Sequence, residues 1–193
     1  MATVVVFHHA QGLTPGVVAF ADRLRQAGHC VHTPDVFAGQ QFATLDAGIA
    51  YVQQIGFDAC IERAVVAVAD LPVDVVYLGM SLGVLPAQFL AQQRAGVRGA
   101  LLLHACVPVS EFGDEWPAAV PVQVHAMADD PFFVGDGDLA AAQALVSQAP
   151  LAELFLYAGD GHLFSDASVA EYDAVATATM IQRITAFLAA LDK

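Results

Sequence analysis

The sequence is poor in positive charge: seven Lys and Arg stand against twenty Asp and Glu, a formal charge of −13 over 193 residues. So acidic a surface repels phosphate backbones and anionic lipid, which excludes nucleic acid as a partner and argues against membrane binding. Cysteine is scarce as well. Cys30, Cys60 and Cys106 are odd in number, without a CxxC pair or zinc-ligand spacing, and read as buried thiols. Long apolar runs are also missing; Ala64–Ala69 falls far short of the ~20 residues that cross a bilayer. The opening MATVVVFHH lacks a basic segment before its apolar run and a small-residue cleavage site after it, so it is expected to be a first strand, and the protein cytoplasmic. Charged residues make up only 14% against 57% hydrophobic, a balance that excludes disorder and demands a large core. The length suits one domain, residues 1–193.

What is present is an alternation of strands and helices. Strand-like segments fall at 3–8, 29–33, 73–78, 99–104, 121–126 and 152–157, several of them continuous apolar runs of the kind that belong in a covered parallel sheet. Between them run helical stripes: Val17, Phe20, Ala21 and Leu24; then Leu45, Ile49 and Val52; then Ile61, Val65 and Val68. Thr44, Asp58 and Asp138 stand where N-caps are wanted, and Gly28, Gly96 and Pro150 near helix ends. The expected fold is a single-domain, doubly wound α/β sheet of about six mostly parallel strands with no separate cap domain. The longest stretch without periodicity, 107–121, is about fifteen residues, near the limit for a simple loop, and is expected to carry Phe112 and Trp116 over the mouth of a site.

In such a sheet, ligands bind at the carboxyl ends of the strands. Those ends carry HHAQG, GMSLG, HACVP, MADDPFF and GDGHLF, and so supply a Ser, an Asp pair and a His in the chain order of the α/β-hydrolases. Gly79-Met80-Ser81-Leu82-Gly83 follows VDVVYL and opens a helical stretch, the two contexts a nucleophile elbow requires, so Ser81 is the expected nucleophile. A serine hydroxyl needs a base within hydrogen-bond reach, and His162 is the candidate. A carboxylate must fix the tautomer of that histidine; Asp129 and Asp130 both qualify, and adjacent residues cannot both do so. The oxyanion hole is expected from the N–H of Leu82 together with that of Ala10 or Gln11 in the loop after the first strand. His9, Met80 and Phe132 are further candidates for the substrate pocket, beside Phe112 and Trp116.

Adjacent histidines on a strand face opposite ways, and no HxH or HExxH spacing occurs, so neither a metal nor a cofactor is expected. The GDGDL segment at 135–139 lacks the later ligands of a calcium loop and reads as a turn with a helix cap.

The segments VVVFHHAQGLTPGVVAFADRLRQAGHCVHTPDVFAG, GMSLG, ADDPFF and GDGHLF together resemble the dienelactone hydrolase family of α/β-hydrolases. The resemblance runs from about residue 3 to the last helix. It implies Asp130 as the acid, since the family's acid precedes a Pro-Phe or similar pair, and His162 as the base, from its Gly-His-x-Phe pattern. It also implies differences from the lactone-opening enzymes that give the family its name. They carry an elbow cysteine where this chain has Ser81, a glutamate where it has His9 or Ala10, and a substrate-holding arginine near the place of Asp166. The expected reaction is therefore cleavage of a small-molecule ester, thioester or lactone through an acyl-enzyme on Ser81, by a monomer or homodimer. Asp129, Asp130, Asp136, Asp160 and Asp166 favour a neutral or cationic substrate. A non-catalytic binding module on the same fold, or an acyltransferase or peptidase using the same residues, is the alternative.

Overall fold

Each of the six strand-like segments yields a strand: β1 (Thr3–Phe7), β2 (Cys30–His32), β3 (Val75–Met80), β4 (Gly99–Leu103), β5 (Val122–Met127) and β6 (Ala152–Tyr157). In the computed structural model, which describes residues 1–191, they form one all-parallel sheet in the order β2-β1-β3-β4-β5-β6. β1 lies beside β3 in register from Thr3 opposite Val75 to Phe7 opposite Gly79, which brings the loop after β1 next to the end of β3. The connecting helices are α1 (Pro15–Gln26), α2 (Leu45–Ile55), α3 (Phe57–Ala67), α4 (Val84–Gln93), α5 (Pro131–Gly135), α6 (Asp138–Gln148) and α7 (Ala174–Leu191).

β1, β3 and β4 are apolar on both faces because both are covered, and β5 is buried throughout although it carries Gln123 and His125. Val4, Val6, Val76, Leu78, Met80, Leu101 and Leu103 share one core with Val17, Phe20, Ala21 and Leu24 of α1 and Met180, Ile184 and Leu188 of α7. The alternate residues Val5, Phe7, Tyr77, Leu102 and Val124 share the opposite core with α3, α4 and α6. Full burial of one large apolar side chain contributes about 1.5–3 kcal/mol, so the two cores dominate stability. By length and composition α7 meets the criterion for a membrane span, with mean hydropathy 1.5 over 18 residues, yet its buried face lies on the sheet.

Several local expectations shift. β3 begins two residues later than its apolar run and continues to Met80, directly against the elbow. Thr44 caps α2 by accepting from the N–H of Ala47, but Gly56 and Gly137 occupy the caps expected of Asp58 and Asp138, which lie inside their helices. On α3 the buried face is Cys60 and Ala64, with Val68 just beyond as expected, while Ile61 is half-buried and Val65 exposed. The segment 107–121 is not a flap. The side-chain amides of Gln88, Gln92 and Gln93 on α4 donate to the carbonyls of Val107, Val109 and Phe112, lacing it to the body.

Candidate active site

The end of β3 meets α4 in a turn that only particular residues can make. Ser81 has φ 50°, in the left-handed region that costs a residue with a Cβ about 1–2 kcal/mol. The flanking glycines let the turn close. A Cβ on Gly79 would lie 2.3 Å from the carbonyl oxygen of Gly83, and one on Gly83 would lie 2.3 Å from that of Phe7. The backbone passes through Ser81–Gly83 as a single 3-10 turn and enters α4, so the N–H of Leu82 falls in a first turn, where helices leave their donors unpaired.

His162 comes from the loop after β6 and Asp130 from the end of β5. The Ser81 hydroxyl lies 2.8 Å from His162 Nε2, and His162 Nδ1 lies 2.7 Å from Asp130 Oδ2. Asp130 is fully buried, so its carboxylate fixes the tautomer: Nδ1–H donates to Asp130, and Nε2 is left to accept from the serine. The other carboxylate oxygen caps α5 by accepting from the N–H of Phe132 at 3.0 Å. Asp129 is exposed, so of the two aspartates it is Asp130 that lies against His162. The Phe132 ring packs on the imidazole, centroids 4.7 Å apart.

In the loop after β1, the N–H of Gln11 is engaged with His9 Nδ1 at 3.2 Å, whereas the N–H of Ala10 has no partner among the described residues. Ala10, Ser81, Leu82 and His162 line one cavity of about 290 Å³. Leu45, Ile49 and Val52 of α2 with Phe57 of α3 form much of its apolar wall, and Phe132 borders it as expected. The other expected lining residues do not reach it. Met80 is buried with α1 and α7, because the pleat turns it to the face opposite its neighbour Ser81. Trp116 is buried, donating from Nε1 to the carbonyl of Val120 at 2.7 Å, and Phe112 packs edge-on against Phe89. His9 is fully buried behind the loop, its Nε2 2.7 Å from Asp166 Oδ2.

Few of the acidic residues face the cavity. Asp129 and Asp160 are exposed, and Asp166 is buried; Asp136 and Asp138 line the wall. Burial in this apolar setting raises the Asp138 carboxyl to about 6, against the effect of the Cys106 N–H that it accepts at 3.1 Å. Behind the site His104 and His125 are buried, and desolvation pushes His104 well below the ordinary histidine range and His125 to about 3, so both are neutral at pH 7. The histidines at the strand ends spend their ring nitrogens separately, His8 on Val36, His9 on Asp166, His104 on Ser165 and His125 on Tyr157. Among the described residues no group of three or more His, Cys, Asp or Glu is placed to hold a metal ion.

A parallel sheet of this order, with a serine on a strained elbow beside a histidine and a carboxylate, is an α/β-hydrolase fold. The chain belongs to the dienelactone hydrolase family, whose model matches residues 1–191. Similar solved structures include a candidate dienelactone hydrolase from Klebsiella pneumoniae, with 18% identity, TM-score 0.76, and 98% of this chain and 87% of that one covered. A dienelactone hydrolase-like promiscuous phosphotriesterase from metagenomic libraries has 21% identity and TM-score 0.74, covering 99% and 87%. The dienelactone hydrolase from Anabaena variabilis has 16% identity and TM-score 0.65, covering 96% and 84%. At these identities the likeness is one of fold. No curated protein matches at a significant level.

Proposed function

We propose that this hydrolase cleaves a carboxylic ester, thioester or lactone through an acyl-enzyme on Ser81. The observation that carries the reading is the continuous pair of short contacts from Ser81 Oγ to His162 Nε2 and from His162 Nδ1 to Asp130 Oδ2, with the serine opening on the cavity. His162 takes the hydroxyl proton at Nε2 as Ser81 Oγ bonds to the substrate carbonyl carbon. The imidazolium so formed is held by Asp130. Negative charge on the carbonyl oxygen is met by the N–H groups of Leu82 and Ala10; Gln11 is passed over, its N–H being engaged with His9. Collapse breaks the bond to the leaving group, which receives the proton from His162. Water then repeats the sequence on the acyl-enzyme, with His162 taking its proton and Ser81 leaving with a proton regained.

The apolar wall from α2 and α3 suits a hydrocarbon portion of the substrate, and the carboxylates of Asp136 and Asp138, with no Lys or Arg among the lining residues, disfavour an anionic one. The test is hydrolysis of p-nitrophenyl and thioester substrates of graded chain length by wild type and Ser81→Ala, with fluorophosphonate labelling alongside. Activity and labelling that both vanish in Ser81→Ala are expected. Turnover that survives in Ser81→Ala, or a folded protein inert toward every substrate and unlabelled, refutes it.

A further inference from the structure

Four residues beyond the catalytic histidine, Asp166 is fully buried, and everything around its carboxylate donates to it. Oδ2 accepts from His9 Nε2 and from the Thr14 hydroxyl, and Oδ1 from the N–H of Ser168 at 2.7 Å and from the Ser168 hydroxyl. Burial alone would raise this carboxyl; the hydrogen bonds from His9, Ser168 and Thr14 outweigh it and hold the group below the usual carboxylate range, so it is ionised at neutral pH. The fit leaves no slack, since a Cβ on Gly16 at the start of α1 would lie 1.5 Å from Asp166 Oδ1.

The anion at Asp166 sets the state of His9. Nε2 must carry the proton to donate to the carboxylate, so Nδ1 is the bare nitrogen, and it accepts the N–H of Gln11 at 3.2 Å. The carbonyl of His9 accepts from Gly12 at 3.0 Å and from His8 Nδ1 at 2.8 Å. His9 thereby holds the backbone on both sides of Ala10, while the N–H of Ala10 itself stays unclaimed beside the cavity. The carboxylate belongs to the same loop as His162, so one network fixes the loop after β1 and the loop after β6 relative to each other across 157 residues of sequence.

We infer that His9 and Asp166 are positioning residues of the oxyanion hole: Asp166 selects the His9 tautomer, and His9 turns Gln11 back so that the N–H of Ala10 points at the developing oxyanion. This rests on the acyl-enzyme reading above. Neither side chain touches substrate. Because a preorganised donor acts on charge that exists only in the transition state, its misalignment lowers kcat and leaves KM nearly unchanged.

The variants His9→Ala, His9→Gln and Asp166→Asn are compared with wild type, each rate divided by the active-site concentration from a fluorophosphonate titration of Ser81. Deleting one oxyanion donor costs ~10²–10³ in kcat, and a displaced donor is expected to cost ~10–100-fold, with KM within about twofold. Amide hydrogen exchange at 10–12 should quicken in the same variants. His9→Gln keeps a donor for Asp166 but loses the acceptor for Gln11, and should therefore fall nearly as far as His9→Ala. If Asp166→Asn does not fold, His9→Gln still decides the matter. A merely structural role lowers stability and the fraction of titratable enzyme yet leaves kcat per titrated site unchanged, and that result overturns the inference alone. A wild type whose Ser81 is not labelled overturns both the inference and the reading beneath it.

Discussion

Strain at Ser81 can be measured by two substitutions that remove the same hydroxyl. Ser81→Ala and Ser81→Gly both lose the contact with His162, so their difference isolates the backbone at φ 50°. Alanine keeps the Cβ and with it the left-handed penalty of about 1–2 kcal/mol. Glycine escapes that penalty but loses about 0.5–1 kcal/mol through the greater freedom of its unfolded chain. The balance favours Ser81→Gly over Ser81→Ala by roughly 0.5–1 kcal/mol, the reverse of the usual order. At Ala91, in the interior of α4, the glycine variant should instead be the less stable one by about 1 kcal/mol. For a chain of this size the elbow difference corresponds to about 1–4 °C in Tm. Thermal and urea unfolding of the two inactive variants, followed by two coincident probes, makes the comparison. An alanine variant equal to or more stable than the glycine variant refutes the claim that the elbow is strained.

Other consequences are as direct. Asp130→Asn should lower kcat by ~10⁴ through loss of the correct His162 tautomer, whereas Asp129→Asn, at an exposed position, should change it less than twofold; steady-state kinetics that reverse this order would move the acid to Asp129. The Asp138 carboxyl titrates at about 6 when folded against 3.8 ordinarily, so the folded state binds more protons between those values and stability falls as pH rises through the window. About two units correspond to ~3 kcal/mol, which partial exposure and solvent screening reduce to roughly 1 kcal/mol. Asp138→Asn should therefore be more stable than wild type at pH 7 by about that amount and indistinguishable below pH 4, as urea titrations at several pH values can check. Trp116→Phe removes the donor to the buried carbonyl of Val120 and should cost about 1–3 kcal/mol, with kcat and KM for a neutral ester unchanged; a several-fold rise in KM would return Trp116 to the pocket.

Features held by local constraint were legible in the sequence. The elbow is one: a strand, two glycines with no room for a Cβ and a helix start lie within a dozen residues, so the sequence must spell them together. Asp130 and His162, the proposed acid and base, follow strand ends, and parallel topology brings all such ends to one edge. The position of Met80 was also available, since the period of two places it with Val76 and Leu78 and turns it away from Ser81's side. What the sequence hid is contact between distant segments. Leu45, Ile49 and Val52 look like any stripe that seats a helix on a sheet, and only the angle of α2 decides that the stripe closes a cavity instead. Phe112 and Trp116 look like a flap until the glutamines of α4, spread over two turns, tie their segment down.

The His9 and Asp166 pair shows why such contacts leave no pattern to read. Either residue alone is unremarkable: a second histidine after a strand, an acid in a polar turn. Their meaning depends on α1, whose N-cap Thr14 serves the helix by accepting from Val17 and serves Asp166 by donating to it. A hydroxyl that both accepts and donates lets the helix start and the anion lock into one unit, and that unit spans the loops carrying Ala10 and His162. The resemblance implies a glutamate in the lactone-opening enzymes where this chain has His9 or Ala10; here the buried carboxylate is Asp166, which reaches the loop after β1 through His9. On the proposed mechanism, Ser81 has its own base in His162 and no need of a nearby carboxylate to activate it, so His9 is free for the backbone role inferred for it.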